Sequence, residues 1–166
     1  METVPVALNG IAAKLVSELK PILSPNARVL TDAASDDFKL STQGWSNINA
    51  KVPAAVVRPA TFDDVSTFVK YATANKVPFV PRSGGHSIHS SIGAEGVLLD
   101  LRSLDKIEVD KNAGTATFQA GVLTQPLMKA CWEAGYLVAT GSCNTVGAVP
   151  VILGGAFRHP FASELP

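Results

Sequence analysis

Val80-Pro81-Arg82-Ser83-Gly84-Gly85-His86-Ser87 is the stretch from which the rest of this chain can be read. The apolar run before it, Val77 to Val80, reads as a buried strand that Pro81 ends. The loop that follows carries two glycines, two hydroxyls, a guanidinium and an imidazole. Paired glycines let backbone N–H groups turn toward a ligand with no Cβ in the way. Arg82, Ser83 and Ser87 add donors suited to phosphate oxygens, and His86 stands at the rim. Taken bare, these residues support two readings: a phosphate or pyrophosphate cradle, and a Gly-rich surface turn with a solvated histidine.

Working outward, Val52 to Pro59 reads as a strand bounded by prolines. Thr61 is an N-cap for the helix that follows, with Asp63 and Asp64 in the first turn, where the helix dipole favours acids. Val65, Phe68, Val69 and Ala72 fall at helical spacing and are expected to face a sheet, and Asn75 ends the helix. This strand–helix–strand unit has the length of a parallel crossover, roughly thirty residues. It puts the glycine loop at the carboxyl end of a strand, where ligands of α/β sheets bind.

Toward the N-terminus, Leu8, Ile11, Ala12, Leu15 and Leu19 form a helical stripe closed by Pro21 and Pro25. Arg28-Val29-Leu30 reads as a short strand. Ser35 to Asn49 is polar and lacks a period, so it reads as a loop, with Trp45 anchoring it to the body. Beyond the glycine loop, Val97–Asp100, Ile107–Asp110 and Thr115–Gln119 read as strands, the last two joined by a hairpin turn at Lys111 to Gly114. A second helix opens at Thr124 and Pro126, turns Leu127, Ala130, Cys131 and Ala134 to one face, and stops at Gly135. Tyr136 to Ala139 reads as one more strand, leading into Thr140-Gly141-Ser142-Cys143-Asn144-Thr145-Val146-Gly147.

Composition narrows the field. The chain has 166 residues, zero formal net charge, 46% hydrophobic and 17% charged residues. Such a balance predicts a well-supplied core and apolar surface meant for a partner or for further chain. No basic stripe appears, so nucleic acid is not an expected partner. No apolar run approaches the roughly eighteen residues of a membrane span. The N-terminus lacks a basic segment followed by an apolar one, so no secretory signal is expected and the cytoplasm is the expected location. The two cysteines make no metal-ligand spacing, and no metal site is expected. A bridge between Cys131 and Cys143 stays open, with Cys131 on the apolar face of a helix reading as core. His89 and His159 have no nameable partner and default to solvated side chains.

The two glycine-bearing loops share a design. Each follows a strand, offers glycines and hydroxyls, and presents one nucleophilic side chain, His86 or Cys143. Together they resemble the berberine-bridge-enzyme-like branch of the vanillyl-alcohol-oxidase flavoproteins, whose FAD domain is termed PCMH-type. The likeness rests on Arg82-Ser83-Gly84-Gly85-His86-Ser87, on the Gly-x-Cys-x-Thr-Val-Gly pattern from Gly141 to Gly147, and on Ala55-Val56-Val57-Arg58-Pro59 with its following helix. It runs from about Trp45 to Gly155.

The resemblance implies an α+β fold, a mixed sheet with flanking helices. It implies FAD joined through its 8α carbon to His86 and through its C6 carbon to Cys143, with loop N–H groups on the pyrophosphate. The implied cofactor-binding set is Arg82, Ser83, Gly84, Gly85, His86, Ser87, Gly141, Cys143, Thr145, Val146 and Gly147. From the residues alone, His86 can equally be a non-covalent lid and Cys143 a buried thiol. Val146, which the resemblance sets where side-chain bulk controls oxygen access, can equally be a packing residue.

The implied activity is that of an oxidase: hydride passes from a small alcohol, sugar or secondary metabolite to the flavin, and electrons then pass to molecular oxygen. The chain departs from the family pattern in two ways. It stops before any substrate domain, so no catalytic base is nominated. The family's third and later glycines after Leu153 are here Ala156 and Arg158, and His159 to Pro166 matches no recognisable pattern, so a divergent tail is expected. The expected division is an N-terminal helix and loop over 1–50, a partial FAD-binding domain over 51–155 and a divergent tail over 156–166. An alternative reading is a non-catalytic flavin-binding or interaction module; a third is an unstable fragment.

Overall fold

The computed structural model describes residues 6–48 and 50–155, the side chains of residues 6–9 excepted. Leu8 of the N-terminal stripe, and Ala156, Arg158 and His159 of the tail, therefore lie outside the described side chains.

Two strands without an exposed residue form the centre. β2 (Ala55–Arg58) and β4 (Val97–Asp100) pair in parallel, and β3 (Phe79–Arg82) pairs in parallel with the other side of β4. β1 (Arg28–Leu30) adds an antiparallel edge, giving the order β1-β2-β4-β3. A strand buried on both faces reads as a continuous apolar run, which is what Ala-Val-Val and Val-Leu-Leu supply. Successive side chains alternate between faces. Ala55, Val57, Val97 and Leu99 pack on one side with Phe68 and Ala72 of α3 (Phe62–Ala74) and with Leu15 and Leu19 of the N-terminal helix. Val56 and Leu98 pack on the other with Phe38 and Ile92. The result is the expected α+β fold, a mixed sheet flanked by helices.

The N-terminal stripe is one continuous coil. α1 (Val6–Lys14) runs on through a π turn at Leu15–Leu19 and a 3₁₀ turn at Lys20–Ile22, which carries Pro21. α3 starts as expected: the Thr61 side chain accepts from Asp64 N–H, and Asp64 reaches back to Thr61 N–H. Asp64 is 3% exposed and also accepts from Ser24 N–H, Ser24 hydroxyl and Ala60 N–H, so it ties the N-terminal coil to α3. Val69, expected to face the sheet, is instead at the exposed margin of the helix.

Three further readings are corrected. Pro81 does not end its strand, because β3 runs through it to Arg82. β3 is an edge strand and Pro81 is exposed, so the missing N–H costs no ladder bond. Ser35–Asn49 is not all loop, for Asp36–Thr42 is helix α2, capped by Ser35, with Asp36 and Asp37 in its first turn and Phe38 and Ser41 buried. Fewer than two turns leave too few positions for a stripe to show. Tyr136–Ala139 is not a strand; the Tyr136 hydroxyl donates to Lys111 carbonyl and Val138 packs on the neighbouring cluster, but the segment pairs with no strand among the described residues.

The second part of the chain is lighter. β5 (Ile107–Asp110) and β6 (Thr115–Phe118) form the expected hairpin, and α4 (Thr124–Glu133) lies against it. Val122, Leu127, Cys131 and Ala148 form their core, the last from a short helix α5 (Ala148–Leu153) that the periodicity did not reveal. Trp132, Leu137 and Leu153 remain exposed on this half. Both cysteines are free thiols. Among the described residues, no helix is long and apolar enough to cross a membrane.

Candidate functional site

The three parallel strands end side by side in charge: Arg58 on β2, Asp100 on β4 and Arg82 on β3, with Arg82 and Asp100 in register. Asp100 is fully buried and accepts from Arg58 Nε (3.2 Å) and from Arg102 Nε and Nη2 (both 2.9 Å). Burial pushes its carboxyl up, but the bonds and charge of Arg102 and the charge of Arg58 outweigh this and hold it below the usual carboxylate range.

Arg82 is 3% exposed, and its two terminal nitrogens donate to the carbonyls of Ser41 and Gln43 at the C-terminal end of α2. That end carries orphan carbonyls and negative partial charge, so a cation fits there. Burial lowers the Arg82 pKa to about 10, the charge of Arg102 adds to the drop and Asp100 opposes it. The guanidinium stays charged at neutral pH and braces the loop from behind.

From that base the loop runs on to Ser83, buried with its hydroxyl unpartnered among the described residues, and then to the two glycines. Gly85 has φ +70°, a left-handed conformation that a side chain resists, and a Cβ there would lie 2.6 Å from Arg82 Nε. Gly84 makes the closest approach. A Cβ on it would strike the carbonyl oxygen of Thr145 and come within 2.6 Å of Gly147 N, both backbone atoms of the second loop. A Cβ on Gly147 would in turn meet the Ser83 side chain. The two glycine motifs thus read separately in the sequence are one seam in the fold. The N–H groups of Gly84, Gly85 and His86 find no acceptor among the described residues.

The second loop is held by the start of α4. Thr124 N–H donates to Val146 carbonyl (2.9 Å), Gln125 N–H to Asn144 carbonyl (3.1 Å), and the Thr124 hydroxyl to Cys143 carbonyl (2.5 Å). Leu123 and Gly147 form an isolated antiparallel bridge, and Ala148 N–H donates to Val122 carbonyl. These are the N–H groups that a helix cannot satisfy internally, and here they catch a loop.

At the seam the two nucleophilic side chains share a partner. His86 Nε2 lies 2.8 Å from Thr145 Oγ1, and Cys143 Sγ lies 3.6 Å from the same oxygen. Cys143 is exposed, not the buried thiol that the residues alone left open. The backbone N–H of Thr145, followed by its hydroxyl, draws the Cys143 thiol below its ordinary pKa. Trp45 does not anchor its segment by burial, being 71% exposed. Its indole stacks on the His86 ring (5.6 Å between centroids, 22° between planes), and the backbone N–H of Trp45 donates to Gly85 carbonyl at 3.2 Å. Neither this stack nor the Asp100 cluster was legible in the sequence. The one available signal was that each parallel strand ends in a charged residue.

Of the remaining implied residues, Ser87 caps a local turn by accepting from His89 N–H. A Cβ on Gly141 would meet the Val151 side chain at 3.8 Å, an ordinary contact distance, so this glycine is not required by close packing. Val146 is half-buried beside the seam.

Comparison with known proteins agrees with this geometry. The sequence profile of a family described as "FAD binding domain" matches residues 53–163, which include both loops. The FAD-linked oxidoreductase anuG of Penicillium roqueforti is 33% identical over 156 residues, covering 89% of this chain and 31% of that protein. The FAD-linked oxidoreductase hasG of Aspergillus fumigatus is 39% identical over 112 residues, covering 67% of this chain and 24% of that protein. Among solved structures, 6-hydroxy-D-nicotine oxidase from Arthrobacter nicotinovorans superposes with a TM-score of 0.72 at 27% identity, over 81% of this chain and 29% of that one. The chain therefore spans less than a third of the length of each of these proteins.

Proposed function

The chain belongs to the FAD-binding, PCMH-type family of berberine-bridge-enzyme-like FAD-linked oxidoreductases, and from that premise we propose that it holds FAD at the seam of its two loops for oxidase-type chemistry. One observation carries the reading: His86 and Cys143, far apart in the chain, converge on one hydroxyl at the exposed edge of that seam.

The residues present fit the cofactor. The glycine floor where the loops touch has no room for a Cβ. The unpartnered N–H groups of Gly84, Gly85 and His86 suit a pyrophosphate at the carboxyl end of β3. An imidazole and a thiol are the groups with which proteins bond an electrophilic carbon, so we assign covalent attachment to both His86 and Cys143.

In this reading Ser83 and Ser87 line the first loop, while Gly141, Thr145, Val146 and Gly147 complete the second. Arg82 acts through the loop it braces. Bound FAD supplies the two-electron redox chemistry, taking hydride from a small alcohol, sugar or secondary metabolite and returning electrons to molecular oxygen. The chain's own residues bind and orient: the packed sheet behind Arg82 fixes the first loop, α4 fixes the second, and Trp45 covers one face of His86.

The test is an absorption spectrum of the purified 166-residue chain before and after acid precipitation. Yellow colour retained on the precipitate, and lost stepwise on His86→Ala and Cys143→Ala, is the expected result. Colour released to the supernatant would remove the covalent assignment. A chain that stays colourless after refolding with FAD would overturn the proposal.

A further inference from the structure

We infer that Trp45 is a positioning residue for His86 and that the end of α2 delivers it: the arm from Ser41 to Trp45 grips the first loop at successive points and holds the imidazole in one rotamer. The inference deepens the reading of His86 as a group that meets the flavin, but it concerns the chain's own atoms.

The contacts run in step along the two segments. Arg82 donates through its terminal nitrogens to the carbonyls of Ser41 and Gln43. The Gly85 carbonyl accepts from the backbone N–H of Trp45 at 3.2 Å. The His86 ring stacks on the Trp45 indole, with 5.6 Å between centroids. A charge-assisted pair, a backbone bond and an aromatic stack thus join the same two stretches of chain.

Burial does not explain where Trp45 lies, since it is 71% exposed, as is Ile48 further along the arm. The other end of the arm is held in depth. Arg58 Nη2 donates to the Ser41 hydroxyl, and Arg102 Nη2 donates to the Leu40 carbonyl at 3.1 Å. Both arginines are themselves fixed on the buried Asp100. The charged cluster therefore clamps the last turn of α2, and one residue, Gly44, separates the clamped Gln43 from Trp45. A histidine on an exposed loop samples several staggered rotamers, and a stacked aromatic partner favours one of them by roughly 3- to 10-fold. An imidazole so held is a pre-oriented group, which is the condition for efficient reaction with a bound ligand.

The measurement is made on the full 166-residue chain, produced under riboflavin limitation so that it carries no flavin. Ring-current shifts of the His86 ring protons report the stack, and three-bond couplings across Cα–Cβ report the rotamer. The expected native result is upfield-shifted ring protons and one dominant rotamer. Trp45→Ala should abolish the shift and average the rotamers, with the urea midpoint unchanged because the indole is exposed. Trp45→Phe should restore both signatures. Arg82→Lys puts a point charge where a two-pronged donor stood, so it should weaken both signatures when Trp45 is present and change nothing further in Trp45→Ala.

A rotamer-averaged His86 in the native chain would overturn the inference without any variant, as would a Trp45→Ala chain unchanged in both readouts. An Arg82→Lys effect equally large with and without Trp45 would overturn delivery by α2. A chain that stays colourless with FAD but shows the ordered, shifted imidazole would sink the flavin reading and leave this inference standing. A yellow chain whose Trp45→Ala variant keeps the native His86 signals would do the reverse.

Discussion

The loop that carries His86 leaves the end of a fully packed sheet, whereas the loop that carries Cys143 hangs from the first turn of a helix. Behind the first lie Arg82 and Ser83, 3% and 6% exposed, then the Asp100 cluster, then apolar residues on both faces of the sheet. Behind the second lie a few backbone hydrogen bonds from α4 and a cluster of four small or medium side chains. Residues 142–145 are exposed throughout. One loop is positioned by core packing, which resists deformation, and the other by donors that would otherwise be unsatisfied. The difference teaches that a ligand clasped between them would meet a fixed jaw bearing His86 and a lighter jaw bearing Cys143.

The comparison breaks most directly at Asp100. Replacing it with alanine leaves Arg58 and Arg102 facing each other without their carboxylate, at an expected cost of about 3–5 kcal/mol. Urea denaturation measures it, and a loss below about 1 kcal/mol would mean that the first jaw does not stand on this cluster.

Gly84→Ala tests the seam itself. The new Cβ meets backbone on both sides, so the loops must part, at about 1–3 kcal/mol and with loss of bound flavin. A Gly84→Ala chain that kept both its stability and its colour would show that the jaws need not touch.

Acid separates the two halves. Burial pushes the Asp64 carboxyl up, but bonds from Ser24, Ala60 and Thr61 outweigh it, so its pKa in the folded chain lies below the ordinary value. Its contribution is therefore fully present above about pH 4 and is lost as the pH falls through the folded-state value. Asp100 behaves in the same sense. Amides of β2, α3 and β4 should lose exchange protection in acid before those of α4. Asp64→Asn, destabilising by about 1–3 kcal/mol at pH 7, should shrink that difference. Simultaneous loss in both halves would erase the distinction drawn between them.

The smallest expected effect lies on the lighter jaw. Thr124→Val removes the hydroxyl that holds Cys143 carbonyl and should cost about 1 kcal/mol. Faster amide exchange confined to residues 143–148 is the expected signature. A global loss as large as that of Asp100→Ala would show the two jaws to be equally embedded.

Much of the frame was legible from local chemistry. Thr61 with Asp64 three residues on announced α3, the apolar runs announced β2 and β4, and the turn from Lys111 to Gly114 announced the β5–β6 hairpin. Legibility failed where the deciding partner is remote or is backbone. Pro81 reads as a strand end until the sheet order shows β3 at an edge. α2 is too short for its apolar pattern to repeat, although Ser35-Asp36-Asp37 is an N-terminal signature. Nothing in a sequence marks the carbonyls of Ser41 and Gln43 as partners of Arg82.

By itself, the sequence determined which chemistry each loop could offer, since glycines, hydroxyls, an imidazole and a thiol carry their properties wherever they sit. The tertiary structure alone decided that Gly84 and Gly147 abut, that His86 and Cys143 reach one hydroxyl on Thr145, and that Trp45 covers the imidazole. Those facts depend on strand order and helix placement, because a hydrogen bond or a close backbone contact depends on distances of a few ångströms between segments remote in the chain.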